Sequence, residues 1–498
     1  MADNTTRPND RPIQDLREWL QKAEDIGEMV TIDQPVDIEE EMSAIGYLVA
    51  KQKPSPTVMF TNPKSTGENT LGIKHLWNVY GPSVRRIAIS LEEDPDTPTV
   101  ELIRRTKDKM KKRTPPEEVP ASACAAYENT ITGDDIDLTK LPIPRHWPLD
   151  GGNYAGTCDA VITRDPLTGY LNVGTYRMMI NDRNHAGLYL SPGKDARLHI
   201  TRAWEKGESV PVIGCWGIDP LFMLVGSQGF PKTISEYEYA GGIKGEPIKV
   251  VKAQHSDLLF PASAEFVVEG IIRPNSMAPE GPFGEFTGYY GKPEAAAPLV
   301  EILAIHHRTN PVLTNALMAD YPSCEQSGFF SILRGAKVWD DLDKLGVPGI
   351  TGVYSHPAVA GGFGMTIVSL KQQYAGHASQ VLSLAAQVPG GAYYTKFIIA
   401  VDEDIDPSDM DQVLWAMGGR CAPINDFDFL RNTWSTGLDP SQNPPEVRPY
   451  GSKVLINACI EHRYLPTFSK RTKLRKAMYD QVAERWSAQW GEAMPQAA

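Results

Sequence analysis

Two carboxylates on a stretch too rich in glycine and proline to be regular are the first chemistry the sequence offers. Glu280 and Glu285 stand five positions apart in Pro279–Tyr290, PEGPFGEFTGYY, with Gly281, Pro282 and Gly284 between them. That composition excludes a regular helix. The stretch follows an apolar run from Glu265 to Ile272 and precedes another from Leu299 to Ile305. The acids therefore belong to a shaped loop between two buried strands. Paired acids so placed can hold and pass a proton, although a solvated turn has the same composition.

Three other stretches carry groups of the right kind. In Asn172–Arg177, NVGTYR, a continuous strand would put Asn172 and Arg177 on opposite faces unless a bulge intervenes, which Gly174 permits. An arginine in a β-wall calls for a carboxylate or phosphate partner, or else it carries its head to solvent. In Ile234–Gly241, ISEYEYAG, Glu236 and Glu238 could include a metal ligand or could dress a helix start. Lys396 opens an apolar strand ahead of the acidic run Asp402–Asp406, as a phosphate contact or as a solvated edge residue. The nucleotide P-loop, the GxSxG elbow and the HExxH helix are absent from the sequence, and Gly361–Gly364 reads as a turn.

The elements that must position these groups fall into four segments. Residues 1–116 read as an α/β domain after a disordered lead to residue 11. It has helices near Ile13–Ile26, Ile38–Lys51 and from Thr99, and strands at Met29–Ile32, Thr57–Phe60 and Arg86–Ser90. Residues 117–318 consist of short Val-, Ile-, Tyr- and Thr-rich runs cut by Gly, Pro, Asn and Asp. They predict a mainly antiparallel barrel, with one strand over Leu171–Ile180 and helices near Lys194–Lys206 and Thr233–Ala240. Residues 319–465 alternate again, with helices at Leu333–Leu345, Gln372–Gln387 and Pro407–Met417, the last stopped by Gly418–Gly419. Residues 466–498 form a C-terminal helix whose ridge of Leu474, Met478, Val482, Trp486 and Trp490 suits docking on another domain or subunit, or a core contact.

Composition bounds the function. A net charge of −13 with no basic stripe argues against nucleic acid as the main partner. Six scattered cysteines form no CxxC pair, which argues against a zinc site or disulfide framework and fits a reducing cytoplasm. The polar N-terminus is unlike a signal peptide, and the sequence has no run of the ~18 apolar residues a membrane helix needs. A soluble, cytoplasmic protein is expected.

In order and spacing, NVGTYR at 172–177, SEYE at 235–238, PASAE at 261–265, PEGPFGEFTGYY at 279–290, HRTNP at 307–311 and VDEDIDP at 401–407 resemble the UbiD family of decarboxylases. The resemblance runs from about Leu16 to Asn443. It implies an α+β fold in which a central FMN-binding split β-barrel is flanked by an N-terminal α/β domain and a C-terminal α/β oligomerisation domain. It also implies prenylated FMN, supplied by a flavin prenyltransferase and held through Mn2+ (or Mg2+) with K+ nearby. Carried over by position, Asn172 and Glu236 are metal ligands. Asn172, Val173, Gly174, Thr175, Tyr176, Arg177, Glu236 and Lys396 bind the cofactor, Lys396 at its phosphate. Arg177, Glu280 and Glu285 form the catalytic network, and backbone at Val225–Gln228 matches the K+ site. The sequence departs from the family where a histidine usually completes the metal site. Lys194 or Asp195 falls there; Asp195 is an oxygen donor suited to Mn2+, and His199 lies one turn on.

The activity implied is reversible loss of CO2 from an aromatic, heteroaromatic or α,β-unsaturated acid. Glu285 returns the proton, Arg177 holds Glu280 ionised, and Phe283 and Phe286 keep the pocket dry. Leu190, Phe286 and the Gln326–Leu333 segment are expected to line the substrate. A hydroxybenzoate-type phenolic acid decarboxylase and a flavin-binding protein without turnover are the alternatives. A homo-oligomer, dimer or hexamer, is expected in each case.

Overall fold

The computed structural model describes residues 11–65, 67, 69–156, 158–191, 193–291, 295–442 and 450–490. The lead as far as residue 10, and the side chain of Trp490, lie outside the described residues. The first helix, Leu16–Asp25, starts where the Asp15 carboxylate accepts from the Glu18 amide, and it buries Leu16, Trp19, Leu20 and Ala23. It packs beside a sheet of Met29–Ile32, Thr57–Phe60, Lys74–Trp77 and Val312–Thr314, in that order. The last strand comes from the end of the central segment and pairs parallel with Lys74–Leu76, so the first two segments share a sheet.

The strand expected at Arg86–Ser90 is instead a helix, Val84–Ser90, capped by the Ser83 hydroxyl accepting from the Arg86 amide. All five residues of that run are buried, so their pattern could not distinguish helix from strand. Arg86 is fully buried there and pairs with Glu28 at 2.9 Å.

The central sheet has nine strands. Eight follow one path: Leu171–Gly174, Ala160–Arg164, Val210–Trp216, Phe266–Glu280, Ala295–His307, His185–Leu188, Met178–Ile180 and Tyr154–Ala155. The ninth, Asn129–Thr132, pairs with Ala295–His307. The single strand expected over Leu171–Ile180 is thus two strands, first and seventh on the path, joined only by Thr175, Tyr176 and Arg177. Laid flat, those strands would sit ~29 Å apart at ~4.8 Å per step. The connection spans at most ~14 Å. The sheet must therefore roll until its two sides nearly meet, and Arg177 lies in the seam. Gly174 is required there, because the Tyr176 ring folds back to within 2.4 Å of where a Cβ would stand.

The third sheet runs Ile350–Ser355, Met365–Leu370, Phe397–Asp402, Tyr450–Ala458, Phe427–Trp434. Helix Glu325–Lys344 begins well before the expected Leu333, so the Gln326–Leu333 segment is helical. Helix Met410–Arg420, capped by Asp409, continues through Gly418–Gly419 instead of stopping there. No atom lies within 4 Å of a Cβ built on either glycine, so these are exposed turns of helix and not a cap. The closing helix, Lys476–Trp490, leaves Met478 exposed, and Leu474 is exposed just before it.

Candidate active site

The seam brings the three expected catalytic groups together. The Arg177 guanidinium donates from Nε to Glu280 Oε1 at 2.8 Å and from Nη2 to Glu280 Oε2 at 3.4 Å. Its Nη1 donates to Glu285 Oε1 at 2.8 Å. The side chains of Arg177, Glu280 and Glu285 are 10%, 2% and 8% exposed, so the charges interact in a poorly screened environment. The guanidinium also lies over the rings of Tyr189 and Phe283, 3.9 and 4.4 Å from their centroids. Burial pushes the Glu285 carboxyl up, Arg177 opposes this, and the Glu280 charge adds to the rise. For Arg177, burial alone would lower the pKa, but Glu285 and Glu280 raise it. The arrangement gives one acid inclined to keep its proton beside an arginine that does not lose its charge.

Glu280 ends the long strand, and Glu285 follows on a tight loop in which its amide donates to the Tyr289 carbonyl at 2.9 Å. The loop is braced by a segment the sequence did not single out. Asp150 accepts from the Gly284 amide and from the Trp147 amide, each at 3.0 Å. The Gly151 amide donates to Pro282 O at 2.8 Å, and the Tyr154 hydroxyl accepts from the Gly281 amide at 3.2 Å. A Cβ at Gly284 would stand 2.3 Å from the Trp147 indole, and one at Gly151 would stand 2.1 Å from Gly281 O. The brace and the loop touch backbone to backbone, which only glycine allows. Burial pushes Asp150 up to about 6. Asp-Gly-Gly at 150–152 carries no sequence signal beyond that of a turn.

On its outer side the loop meets the third sheet's region. Phe286 packs on Phe363 (ring centroids 5.4 Å apart) and on Tyr394 (6.0 Å). Phe363 in turn packs on Phe330 at 4.4 Å. Phe283 and Phe286 are buried, as expected of groups that keep water out. The neighbouring Tyr393 ring, which sequence reasoning also missed, has its hydroxyl pushed up by burial and then by Tyr189 and Glu285. Its ring packs on Phe363, with centroids 5.6 Å apart.

A second cluster gathers at the other end of the Asn172–Arg177 stretch. Glu236 is 2% exposed and begins helix Glu236–Lys244. Its carboxylate accepts from the Val173 amide at 2.8 Å, the Tyr170 hydroxyl at 3.1 Å and Asn172 Nδ2 at 3.3 Å. Among the described residues it has no cation within 4 Å, and burial pushes it up to about 7, with the Asp195 charge adding to the rise. Asp195 itself pairs with Lys232 at 3.0 Å. His199 is buried, bonded to the Thr163 hydroxyl at 2.9 Å and pushed down to about 4 by burial. A Cβ at Gly226 would lie 3.2 Å from Val173 O, which sets the Val225–Gln228 backbone against the same strand.

The donor types here suit a hard divalent cation: a buried carboxylate, Glu236, beside the side-chain amide of Asn172, whose oxygen accepts from the Tyr176 hydroxyl at 3.4 Å. No group of three His, Cys, Asp or Glu side chains placed to hold a metal converges among the described residues. Lys396 is bonded to other groups. Its ammonium bonds Asp439 at 2.8 Å and Ser441 at 2.9 Å, with no bond to Asn172 or Glu236 among the described residues.

Comparison with known proteins follows the same outline. Family models described as the N-terminal, Rift-related and C-terminal domains of 3-octaprenyl-4-hydroxybenzoate carboxy-lyase match residues 20–106, 117–321 and 328–458. The phenolic acid decarboxylase of Bacillus subtilis (strain 168) is 32% identical over 443 residues, 87% of this chain and 90% of that protein. The phenolic acid decarboxylase of Sedimentibacter hydroxybenzoicus is 32% identical over 458 residues, 89% and 91% of the two chains. Among solved structures, the closed form of the Sedimentibacter hydroxybenzoicus vanillic acid decarboxylase superposes with a TM-score of 0.81 at 30% identity, over 98% of this chain and 100% of that one. At 24% identity, HmfF of Pelotomaculum thermopropionicum in complex with FMN shares the fold, with a TM-score of 0.83 over 94% of this chain and 99% of that one.

Proposed function

This chain belongs to the UbiD family of decarboxylases, and we propose that it removes CO2 reversibly from an aromatic carboxylic acid at Arg177, Glu280 and Glu285, with prenylated FMN as cofactor. The chain is a carboxy-lyase of that family, which sets aside a flavin-binding protein without turnover. The observation that carries the site is the buried arginine shared by two carboxylates, one of them raised. Loss of CO2 from an sp2 carbon leaves an unstabilised carbanion, and prenylated FMN, when bound, supplies the electron sink. HmfF in an evolved dimeric form has been solved with that cofactor.

The rest of the chemistry belongs to the chain. Arg177 orients the substrate carboxylate and pairs with Glu280. Glu285, holding its proton, delivers it to the carbon that lost CO2 and takes it back in the reverse direction. Phe283 and Phe286 exclude water from the exchange. Asn172 and Glu236, with Asp195 as third donor, would hold Mn2+ or Mg2+, and the Val225–Gln228 backbone would offer carbonyls to K+. We read the rolled central sheet as the split barrel that takes the flavin, Lys396 as a phosphate contact made on loading, and a flavin prenyltransferase as the supplier. The third sheet ends in the strand Phe427–Trp434 with Phe429 and Trp434 exposed, which supports self-association.

The test is co-expression with a flavin prenyltransferase, followed by a visible spectrum, an intact mass of the extracted cofactor and CO2 release from a panel of aromatic acids. Prenylated FMN with turnover supports the reading. A protein that takes up no flavin with Mn2+ and K+ present overturns it.

A further inference from the structure

Among the described residues, most buried cations face a carboxylate. Arg86 faces Glu28 at 2.9 Å, Lys107 faces Asp343 at 2.6 Å, Lys244 faces Asp219 at 2.6 Å, and Arg177 faces its two glutamates at 2.8 Å. Arg420, its side chain 5% exposed, faces Asp402 and Asp404 at 2.8 Å. Arg334, 5% exposed, and Lys453, fully buried, face no carboxylate within 4 Å among the described residues. Arg334 Nη2 donates to Tyr393 O at 2.8 Å and to the Thr395 hydroxyl at 2.6 Å, while its buried Nε has no partner. Lys453 donates to the carbonyls of Ala392 at 2.6 Å and Gly391 at 3.2 Å. Nearby Gln442 is buried with both amide atoms unpartnered. Burial pushes Lys453 down to about 7, and the Arg334 charge adds to the fall. Two neighbouring cations held out of water by neutral partners alone form an uncompensated site.

Aromatic contacts link that site to the loop that carries Glu285. The Arg334 guanidinium lies 5.1 Å from the Phe363 ring centroid, and Phe363 packs on Phe286, next to Glu285. The Tyr393 carbonyl accepts from Arg334 Nη2 at 2.8 Å, and the Tyr393 ring packs on Phe363 with centroids 5.6 Å apart. An aromatic acid with its reacting carboxylate at Arg177 would therefore extend its ring past Phe286 and Tyr393 toward Arg334. We propose that Arg334 and Lys453 form an anion-binding pole for a second oxyanion on the substrate ring, a phenolate or a second carboxylate remote from the carboxylate that is lost. The inference rests on the decarboxylase reading above and adds to it the far end of the substrate.

The test uses the cofactor-loaded enzyme and three aromatic acids: one with no ring oxygen, one with a remote hydroxyl and one with a remote carboxylate. The variants are Arg334→Gln, Arg334→Lys and Lys453→Gln, each first matched to wild type in thermal midpoint and in FMN affinity by fluorescence quenching. For the acids with a remote oxyanion, Arg334→Gln and Lys453→Gln should lower kcat/KM by roughly ten- to hundredfold, mainly through KM. Both variants should spare the acid without one, and Arg334→Lys should retain most of the preference. The hydroxyl and carboxylate arms distinguish a phenolate from a second carboxylate. Equal loss on all three acids, or a loss of FMN affinity that points to the cofactor phosphate as the anion, overturns the proposal. A wild type inactive on every acid refutes the decarboxylase reading instead.

Discussion

Replacing Arg177 by methionine should destabilise the unloaded protein by an amount that depends on pH in a defined direction. Methionine keeps most of the volume between Tyr189 and Phe283 but leaves Glu280 and Glu285 facing each other at 2% and 8% exposure without the cation that now bonds both at 2.8 Å. Removing one partner of such a buried network costs about 3–5 kcal/mol. For a cooperative unit the size of the central region, this is a fall in thermal midpoint of roughly 6–20 °C at neutral pH. The orphaned pair can recover by sharing a proton. In the variant its folded-state affinity for protons lies above that of the unfolded chain, so stability is retained below the ordinary glutamate range and lost as pH rises through the folded pKa. The gap between variant and wild type should thus narrow from pH 8 to pH 5, followed by differential scanning fluorimetry on the cofactor-free protein. Adding Glu280→Gln to the variant should recover part of the loss. A gap that is independent of pH, or smaller than about 2 °C, would show that the three charges are not coupled as the geometry requires.

Further outcomes can be checked on the same material. Glu285→Gln keeps an acceptor for Arg177 Nη1 but no transferable proton, so kcat on the loaded enzyme should fall by about 10²- to 10⁴-fold while FMN affinity holds; a fall under threefold rejects Glu285 as the donor. Because burial raises Glu285, wild-type kcat should decline on the alkaline side, as the acid loses its proton; a flat profile from pH 6 to 9 contradicts a proton held there. Gly284→Ala puts a Cβ 2.3 Å from the Trp147 ring and should lower kcat at least tenfold by displacing the loop; unchanged kinetics would mean that the Asp150 brace does not position Glu285.

The catalytic groups were legible because each needs a particular side chain at a particular place, and Glu280, Glu285 and Arg177 met as expected. Their support was not legible, because it is made by backbone. The Asp150 carboxylate and the Gly151 amide hold the loop by bonding its backbone at Gly284 and Pro282, so the loop side of each contact leaves no residue type behind except glycine. The local pattern also failed where burial was complete. Arg86–Ser90 buries every side chain and so hides its helical period, and the helix at Met410–Arg420 passes two exposed glycines that the sequence offered as its end. The seam at Thr175–Arg177 was half visible. Gly174 signalled an irregularity, but only the order of strands across the sheet shows that the irregularity joins its two sides. Arg334 and Lys453 gave no signal at all, since a cation in a helix or strand reads as solvated until its burial is known.

The three residues of that seam also make activity a gauge of the sheet's closure. Arg177 is both part of the link between the first and seventh strands and the group that bonds Glu285, the proposed proton donor. Opening the sheet by even one hydrogen-bond step would draw the guanidinium away from carboxylates now at 2.8 Å, long before any strand separated. Inactivation on heating should therefore run ahead of loss of β-structure, with amide exchange at residues 171–180 rising in step with it. In this protein the fastener of the scaffold and the centre of the chemistry are one side chain.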